Sequence, residues 1–230
     1  MCVVVVDPDA SEAVKYAATE LATFLGQVTG DKIGIVHEPK EDASNLFVGP
    51  NAAKLADPDF TTEGLGEEGL IIRSTGNDVI LAGGDPRGTL YAVYTFLEDH
   101  TGCRWWSPLA STIPRKPNLE VGDLNVRYVP WFEYRETQLM QKRPGEADWS
   151  ARNRFNGFEH ELEEHHGGNK FTYIAHSKWY THTFWTLLPP PIYWEDHPEY
   201  YSEYEGKRIL KSPENDMFTS LCLTNEDVIR

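Results

Sequence analysis

GGDPRGTLYAVYTFLEDHTGCRWWSP, residues 83–108, reads as a turn, a capped helix, a helix stop and a short aromatic strand. Asp85 is placed to cap the helix by accepting an orphan backbone N–H, with Pro86 at the first helical position, where a missing N–H costs nothing. Leu90, Val93, Tyr94 and Leu97 recur at helical spacing and make an apolar stripe. Gly102 supplies a left-handed stop, and Cys103–Trp106 is bulky and flat enough for a strand.

Outward from this stretch the front of the chain alternates strand and helix. Cys2–Val6 is a continuous apolar run suited to a strand buried on both faces. Asp9 and Glu12 have capping-box spacing, and Val14, Ala17, Ala18, Leu21, Phe24, Leu25 and Val28 follow a helical period that Gly30 ends. Ile33–Val36 and Leu46–Val48 are short strands, and Asn51–Ala56 is a helical turn or two. Gly69–Ser74 and Asp78–Ala82 flank the turn Thr75-Gly76-Asn77 as a hairpin. Leu119–Val121 and Leu124–Tyr128 close the series. The expectation is an α/β domain, helices packed on a small mixed sheet, over residues 1–128.

Pro130 marks a boundary, because linkers fall where elements stop. Beyond it Trp131–Glu136 is strand-like and Asp148–Glu164 is helical in composition. Phe171–Ala175 is a second strand and Thr219–Leu223 a third. His176–Phe218, crowded with Trp, Tyr, Pro and His, is too long for a passive connector. Strand, helix, strand, loop, strand and the start of a helix is the opening of a (β/α)8 barrel. A full barrel takes about 250 residues, and roughly 100 follow Pro130. Residues 129–230 are therefore expected to be an incomplete, N-terminal portion of such a barrel.

The 230 residues carry a formal charge of −15, which repels nucleic acid, and no Lys/Arg cluster offers a local exception. No apolar run reaches the ~20 residues of a membrane span. Cys2–Val6 is too short for a signal-peptide core, so the sequence reads as cytoplasmic unless an export signal lies outside it, which would make it extracellular or periplasmic. Three scattered cysteines form no C-x-x-C pair, so no redox or zinc motif is expected. No cofactor is expected. The loop Gly83–Gly88 superficially resembles a phosphate cradle but lacks the lysine, and Pro86 removes an amide. The run His160–His166 invites a zinc reading. On a helix, however, His160 and His165 lie about 140° apart by helical geometry, so a charged helix end is the expectation and metal is not.

Several motifs resemble a family of glycoside hydrolases whose front domain is similar to the accessory α/β domain of bacterial α-glucuronidases and β-hexosaminidases. In the front they are Ala17–Leu21, Leu46–Pro50, Gly69–Arg73, Leu81–Tyr91 and Gly102–Trp106. In the rear they are Phe132–Glu136, Arg152–Arg154, His182–Phe184, His197–Tyr201, Gly206–Arg208 and Leu221–Asn225. The resemblance implies an accessory domain beside a catalytic barrel that cleaves glycosidic bonds through an oxocarbenium-like transition state. The catalytic acids of such enzymes lie on later strands, so the resemblance implies that they fall beyond Arg230 and that this chain alone is inactive.

Barrel chemistry sits at strand ends and in the loops after them, which nominates substrate-binding candidates. Arg135 either grips sugar hydroxyls or a uronate, or forms a salt bridge with Glu133 or a neighbouring strand. Glu136 either orients Arg135 or acts as an electrostatic stabiliser. His176 and His182 offer hydrogen bonds or a proton relay. Trp179, Tyr180, Phe184 and Trp185 offer stacking faces, Trp185 foremost. Asn225 either reaches a substrate hydroxyl or caps the next helix. Arg87 and Arg104 are structural, pairing with acids such as Asp85 or Asp99. The functional expectation is the N-terminal part of a glycoside hydrolase acting on a poly- or oligosaccharide. The alternative is a non-catalytic carbohydrate-binding or scaffold module.

Overall fold

Strand β1 (Cys2–Val6) sits inside a six-stranded mixed sheet. The computed structural model describes residues 2–137, 144–170, 184–211 and 220–229. Strand order is β2-β1-β3-β5-β4-β8, with β2 (Gly34–Val36), β3 (Ser44–Val48), β4 (Leu70–Thr75), β5 (Asp78–Gly83) and β8 (Asn125–Tyr128). β1 runs parallel to β2 and β3, and β3 parallel to β5, whereas β4 is antiparallel to both β5 and β8. The valine run of β1 divides by the two-residue period of a strand. Val4 and Val6 join Leu46, Val48, Ile72 and Leu81 under helices α1 (Glu12–Thr29) and α3 (Gly88–Phe96). Val3 and Val5 join Phe47, Ile71 and Ile80 under α2 (Pro50–Ala56). Both faces are covered, which is why the run carries no polar residue.

Helix α1 buries Ala17, Ala18, Leu21 and Val28 completely and ends at Gly30, whose φ of 86° is left-handed. Its cap is Ser11, not Asp9: the Ser11 hydroxyl accepts the Val14 N–H at 3.4 Å, while the Asp9 N–H turns back to Asp7. Helix α3 starts later than the sequence suggested. Asp85 does not cap it, and Pro86, after a cis peptide, precedes it. The Arg87 and Gly88 N–H groups instead donate to the Glu67 carbonyl, and Gly88 N–H also to that of Gly84. After α3 a π-helical turn, Leu97–Thr101, ends at Gly102 with φ 87°. Strand β6 (Arg104–Ser107) pairs with β7 (Ala110–Thr112), and Trp105 sets its ring edge-on to Phe24 and Tyr94.

Past the hairpin the sequence reading and the structure part company. Leu119–Val121 forms no strand, and neither does Trp131–Glu136. Asp148–Glu164 is not one helix: α4 (Glu146–Arg152) stops at Asn153, and two 3-10 turns follow, Phe158–His160 and Glu164–His166. Arg154 and Glu161 at positive φ break the helical path, and the Asn156 side chain turns inward to acceptors on Glu68 and Glu133. The first compact unit, Met1–Lys170, thus runs past Pro130.

The second unit, Phe171–Arg230, holds short helices α5 (Phe184–Leu187), α6 (Pro190–Tyr193) and α7 (Glu226–Ile229) and a hairpin of β9 (Glu203–Tyr204) and β10 (Lys207–Arg208). Its centre is Tyr201, fully buried and stacked on Trp185, with Trp194 edge-on. An antiparallel bridge joins Tyr201 to Leu221. Phe171–Ala175 lies outside the described residues, as does Thr219 of the last expected strand.

Candidate functional site

The loop Gly83–Gly88 is a packing device. A Cβ on Gly84 would strike the Gly66 carbonyl, and one on Gly83 or Gly88 the Gly69 carbonyl. The amides that a phosphate would need are already engaged: Gly83 N–H donates to Thr89, Gly84 N–H to Gly69, and those of Arg87 and Gly88 to Glu67. Tight approach of the 66–69 backbone, not anion capture, explains the glycines.

That approach brings Glu68 under Arg87, and the two start a buried ion cluster. Arg87 Nε donates to Glu68 Oε1 at 2.7 Å and Nη2 to Glu67 Oε2 at 2.8 Å, while Nη1 donates to the Gly167 and Gly168 carbonyls. Arg135 Nη2 meets Glu68 Oε2 at 2.7 Å, and Asn156 Nδ2 donates to Glu68 Oε1 at 2.7 Å. Glu68 and Arg87 are about as buried as core side chains, 7% and 4% exposed. Such a cluster persists in low dielectric because each charge has an opposite partner and further hydrogen bonds. At its outer edge Lys170 Nζ lies 3.0 Å from Glu67 Oε2 and 2.9 Å from Glu133 Oε1. The Lys170 ammonium is held above its ordinary pKa: burial opposes the charge, and the two carboxylates outweigh it. Glu67 is held below the usual carboxylate range, first by its hydrogen bond from Lys170.

Of the sequence candidates, Arg135 belongs to this cluster. Besides Glu68, its Nε donates to the Arg154 carbonyl at 2.8 Å and Nη1 to the Phe132 carbonyl at 2.6 Å, and the guanidinium lies over the Tyr91 ring. A longer contact runs from Nη2 to the Tyr91 hydroxyl. Four of the five N–H groups of a guanidinium therefore point at protein acceptors. Glu136 accepts from the Tyr134 hydroxyl. Trp185 packs on Tyr201. Asn225 Oδ1 accepts the Asp227 N–H at 3.0 Å, a capping arrangement. His176 and His182, with Trp179 and Tyr180, lie outside the described residues. Arg104 pairs with Glu98 rather than Asp99, and Arg87 with Glu67 and Glu68 rather than Asp85.

A second polar cluster ties the 144–170 segment to α1. Tyr16 donates its hydroxyl to Asp148 Oδ1 at 2.9 Å, and His166 Nε2 lies 2.9 Å from the same oxygen. The hydrogen bond from His166 and, after it, that from Tyr16 outweigh burial and lower Asp148 to about 2. Nearby, Glu20 receives Arg152 through two nitrogens and the Tyr94 hydroxyl. The loss of the long helix brings Asp148, His165 and His166 together, with ligand atoms within 4.8 Å of one another. A metal fits this trio poorly. His166 Nδ1 accepts the Glu163 N–H at 3.1 Å, so the proton of the neutral ring sits on Nε2 and points at Asp148. Coordination through Nε2 would move that proton to Nδ1, against another donor. Tyr16, Asp148, His166 and Glu163 form a hydrogen-bond network, and the His165 ring packs against Tyr16 and His166 beside it.

Sequence reading missed Glu67, Glu68, Asn156 and Lys170. Their pairings span from 19 to 103 positions along the chain, and no periodicity marks them. The one available signal was the Glu67-Glu68 pair, one residue ahead of the apolar strand β4. A cleft of about 450 Å³ is lined by Cys2, Leu46, Val79 and residues 119–123, among others, and by none of the candidates.

An α/β unit with a mixed sheet, its glycine-rich turn closed over a buried ion cluster, defines the class of protein. Residues 2–96 match the sequence model of the glycosyl hydrolase family 67 N-terminus, so the front of the chain is a glycoside hydrolase-like N-terminal domain. Residues 105–230 match that of a domain of unknown function, DUF4838, and the chain belongs to this family. No curated protein matches the chain. Among solved structures, it is similar to a family GH115 4-O-methyl-α-glucuronidase with specificity for decorated arabinogalactans. Identity is 17% and the TM-score 0.44, over 58% of this chain and 18% of that one. It is also similar to a GH138 enzyme targeting pectin rhamnogalacturonan II, at 16% identity and TM-score 0.36, over 58% of this chain and 16% of that one. The chain thus spans under a fifth of either relative. Among the described residues no helix is long and apolar enough to cross a membrane.

Proposed function

We propose that this chain is the N-terminal part of a glycoside hydrolase that acts on a poly- or oligosaccharide in the manner of an α-glucuronidase or hexosaminidase. Residues 1–128 serve as its accessory α/β domain, and residues 129–230, in which the expected strand Trp131–Glu136 and single helix Asp148–Glu164 do not form, lead from that domain toward its (β/α)8 barrel. The match of residues 2–96 to a glycosyl hydrolase N-terminus carries this reading. The catalytic carboxylates lie outside this chain, and the ion cluster around Glu68 fixes the 132–136 segment to the accessory domain. A substrate hydroxyl near this segment finds little of the Arg135 fork available, so Arg135 acts by positioning.

That engagement favours a second reading, a carbohydrate-binding or scaffold module without chemistry of its own. Sugar release from aryl glucuronides, aryl N-acetylhexosaminides and plant polysaccharides separates the two. The longest natural polypeptide carrying these residues is expected to hydrolyse at least one of them, and the 230-residue chain none. No hydrolysis by the longer polypeptide overturns the hydrolase reading. Turnover by the chain alone overturns the placement of the acids.

A further inference from the structure

The outer edge of the ion cluster opens into a cleft of about 300 Å³, lined by Gly66, Glu67, Pro130, Phe132, Glu133 and Lys170 among others. This lies at the lower end of the roughly 300–1,000 Å³ typical of small-molecule sites. One wall is an aromatic ring, Phe132, left 74% exposed. The ring does not hang on a loose strand. Arg135 Nη1 holds the Phe132 carbonyl, Asn156 Nδ2 holds that of Glu133 at 2.9 Å, and Asn156 Oδ1 accepts the Arg135 N–H at 2.7 Å. The buried cluster thus presents an exposed ring and a carboxylate on a fixed backbone, and such preorganisation lowers the entropic cost of binding.

We propose that this cleft is a subsite for a neutral pyranose ring, its C–H face on Phe132 and its hydroxyls between Glu133, Glu67 and Lys170. The proposal rests on the carbohydrate reading above and adds the class of sugar. Charge decides that class. The charged side chains lining the cleft are three carboxylates, Glu67, Glu68 and Glu133, and one ammonium, Lys170, while Arg87 and Arg135 pair with Glu67 and Glu68 from outside the lining, so the rim carries no cation to spare for an anionic sugar. A uronate would have to take Lys170 from Glu133, which has no other ion pair among the described residues, or from Glu67, which keeps only Arg87, and in either case adds a negative charge beside these carboxylates. A hydroxyl does neither: it donates to a carboxylate and accepts from the ammonium, keeping both charges paired. The apolar face of a pyranose then covers a ring that otherwise stays in water.

Titration calorimetry of the 230-residue chain with xylohexaose, cellohexaose and β-1,4-galactohexaose, against trigalacturonate, tests this. At least one neutral probe is expected to bind, and trigalacturonate about tenfold more weakly or not at all. Phe132→Ala is expected to weaken the neutral probe about tenfold, while Phe132→Tyr, which keeps the ring, retains it. Melting temperature should not move in either variant, because the ring is exposed. Binding unchanged in Phe132→Ala, tighter binding of trigalacturonate, or no binding of any neutral probe overturns the subsite. Hydrolysis by the longer polypeptide without binding at Phe132 removes the subsite alone, and binding at Phe132 without hydrolysis removes the hydrolase reading alone.

Discussion

Two parts of the first compact unit are held by opposite means. Residues 2–112 close around valines, leucines and aromatics that are almost wholly buried, such as Val4, Leu21, Ile80 and Tyr94. Among the described residues, those of 129–170 add only Ala151 and Leu162 to the buried apolar set, and are fastened through Glu68–Arg135, Glu20–Arg152, Asp148–His166 and Asn156. Apolar contact is non-directional and tolerates small shifts. A buried ion pair requires one geometry, and it returns a large penalty when one partner is removed. The first part is set by how much surface it hides, the second by whether every charge finds its partner.

Glu68→Ala is the severest break. It leaves Arg87 and Arg135 without the carboxylate they share and takes an acceptor from Asn156. Loss of one member of a buried pair costs about 3–5 kcal/mol. Hydrogen exchange should show residues 144–170 opening ahead of the sheet. Replacing Glu68, Arg87 and Arg135 together by apolar residues of similar size is expected to recover much of the loss, which separates charge burial from packing. Uniform loosening of the sheet in Glu68→Ala would show instead that the cluster supports both parts.

Leu21→Ala is the counterpart in the apolar part. Leu21 is fully buried in α1 between the sheet and α3. A Leu→Ala cavity costs about 2–5 kcal/mol, and at this size each kcal/mol lowers Tm by about 2–4 °C. Exchange is expected to rise across α1, α3 and the sheet together, because they share one core. A local effect confined to α1 would break the contrast.

The same contrast explains what was legible in the sequence. The period-2 and period-3.6 patterns of β1, α1 and α3 follow directly from which faces hide, so the mixed α/β unit could be read from spacing. Gly30 and Gly102 were readable because a left-handed stop leaves glycine as its mark. Ser11 and the late start of α3 were not, because caps compete within one or two residues and the outcome depends on the Glu67 carbonyl arriving from elsewhere. For residues 148–164 helical composition was present, but Asn156 and Arg154 answer to Glu68 and Glu98, distant in sequence. Arg135 was visible as a residue of consequence. That its partners would be Glu68 and backbone carbonyls required the fold, because one arginine serves a sugar or a carboxylate with the same fork.

The mildest test asks whether the polar part responds to pH while the apolar part does not. His160 is 1% exposed, and burial pushes its pKa below the usual histidine range against the pull of Glu136 and Glu146. Its Nε2 accepts the Thr137 N–H, so its Nδ1 carries the proton toward Ser150 Oγ at 2.9 Å. Protonation would set two donors face to face. In the unfolded chain a histidine titrates near 6.5. The neutral form is therefore favoured by folding: its contribution is complete above about pH 6.5 and declines as pH falls below that value through the folded pKa. Melting temperature should accordingly drop between about pH 6.5 and 5 in the wild type. In His160→Gln, which keeps a donor and an acceptor but does not titrate, that part of the drop should vanish. The gap between wild type and variant then narrows as the solution is acidified, whereas Leu21→Ala keeps a constant offset. If His160→Gln tracks the wild-type slope instead, the pH response originates outside this turn.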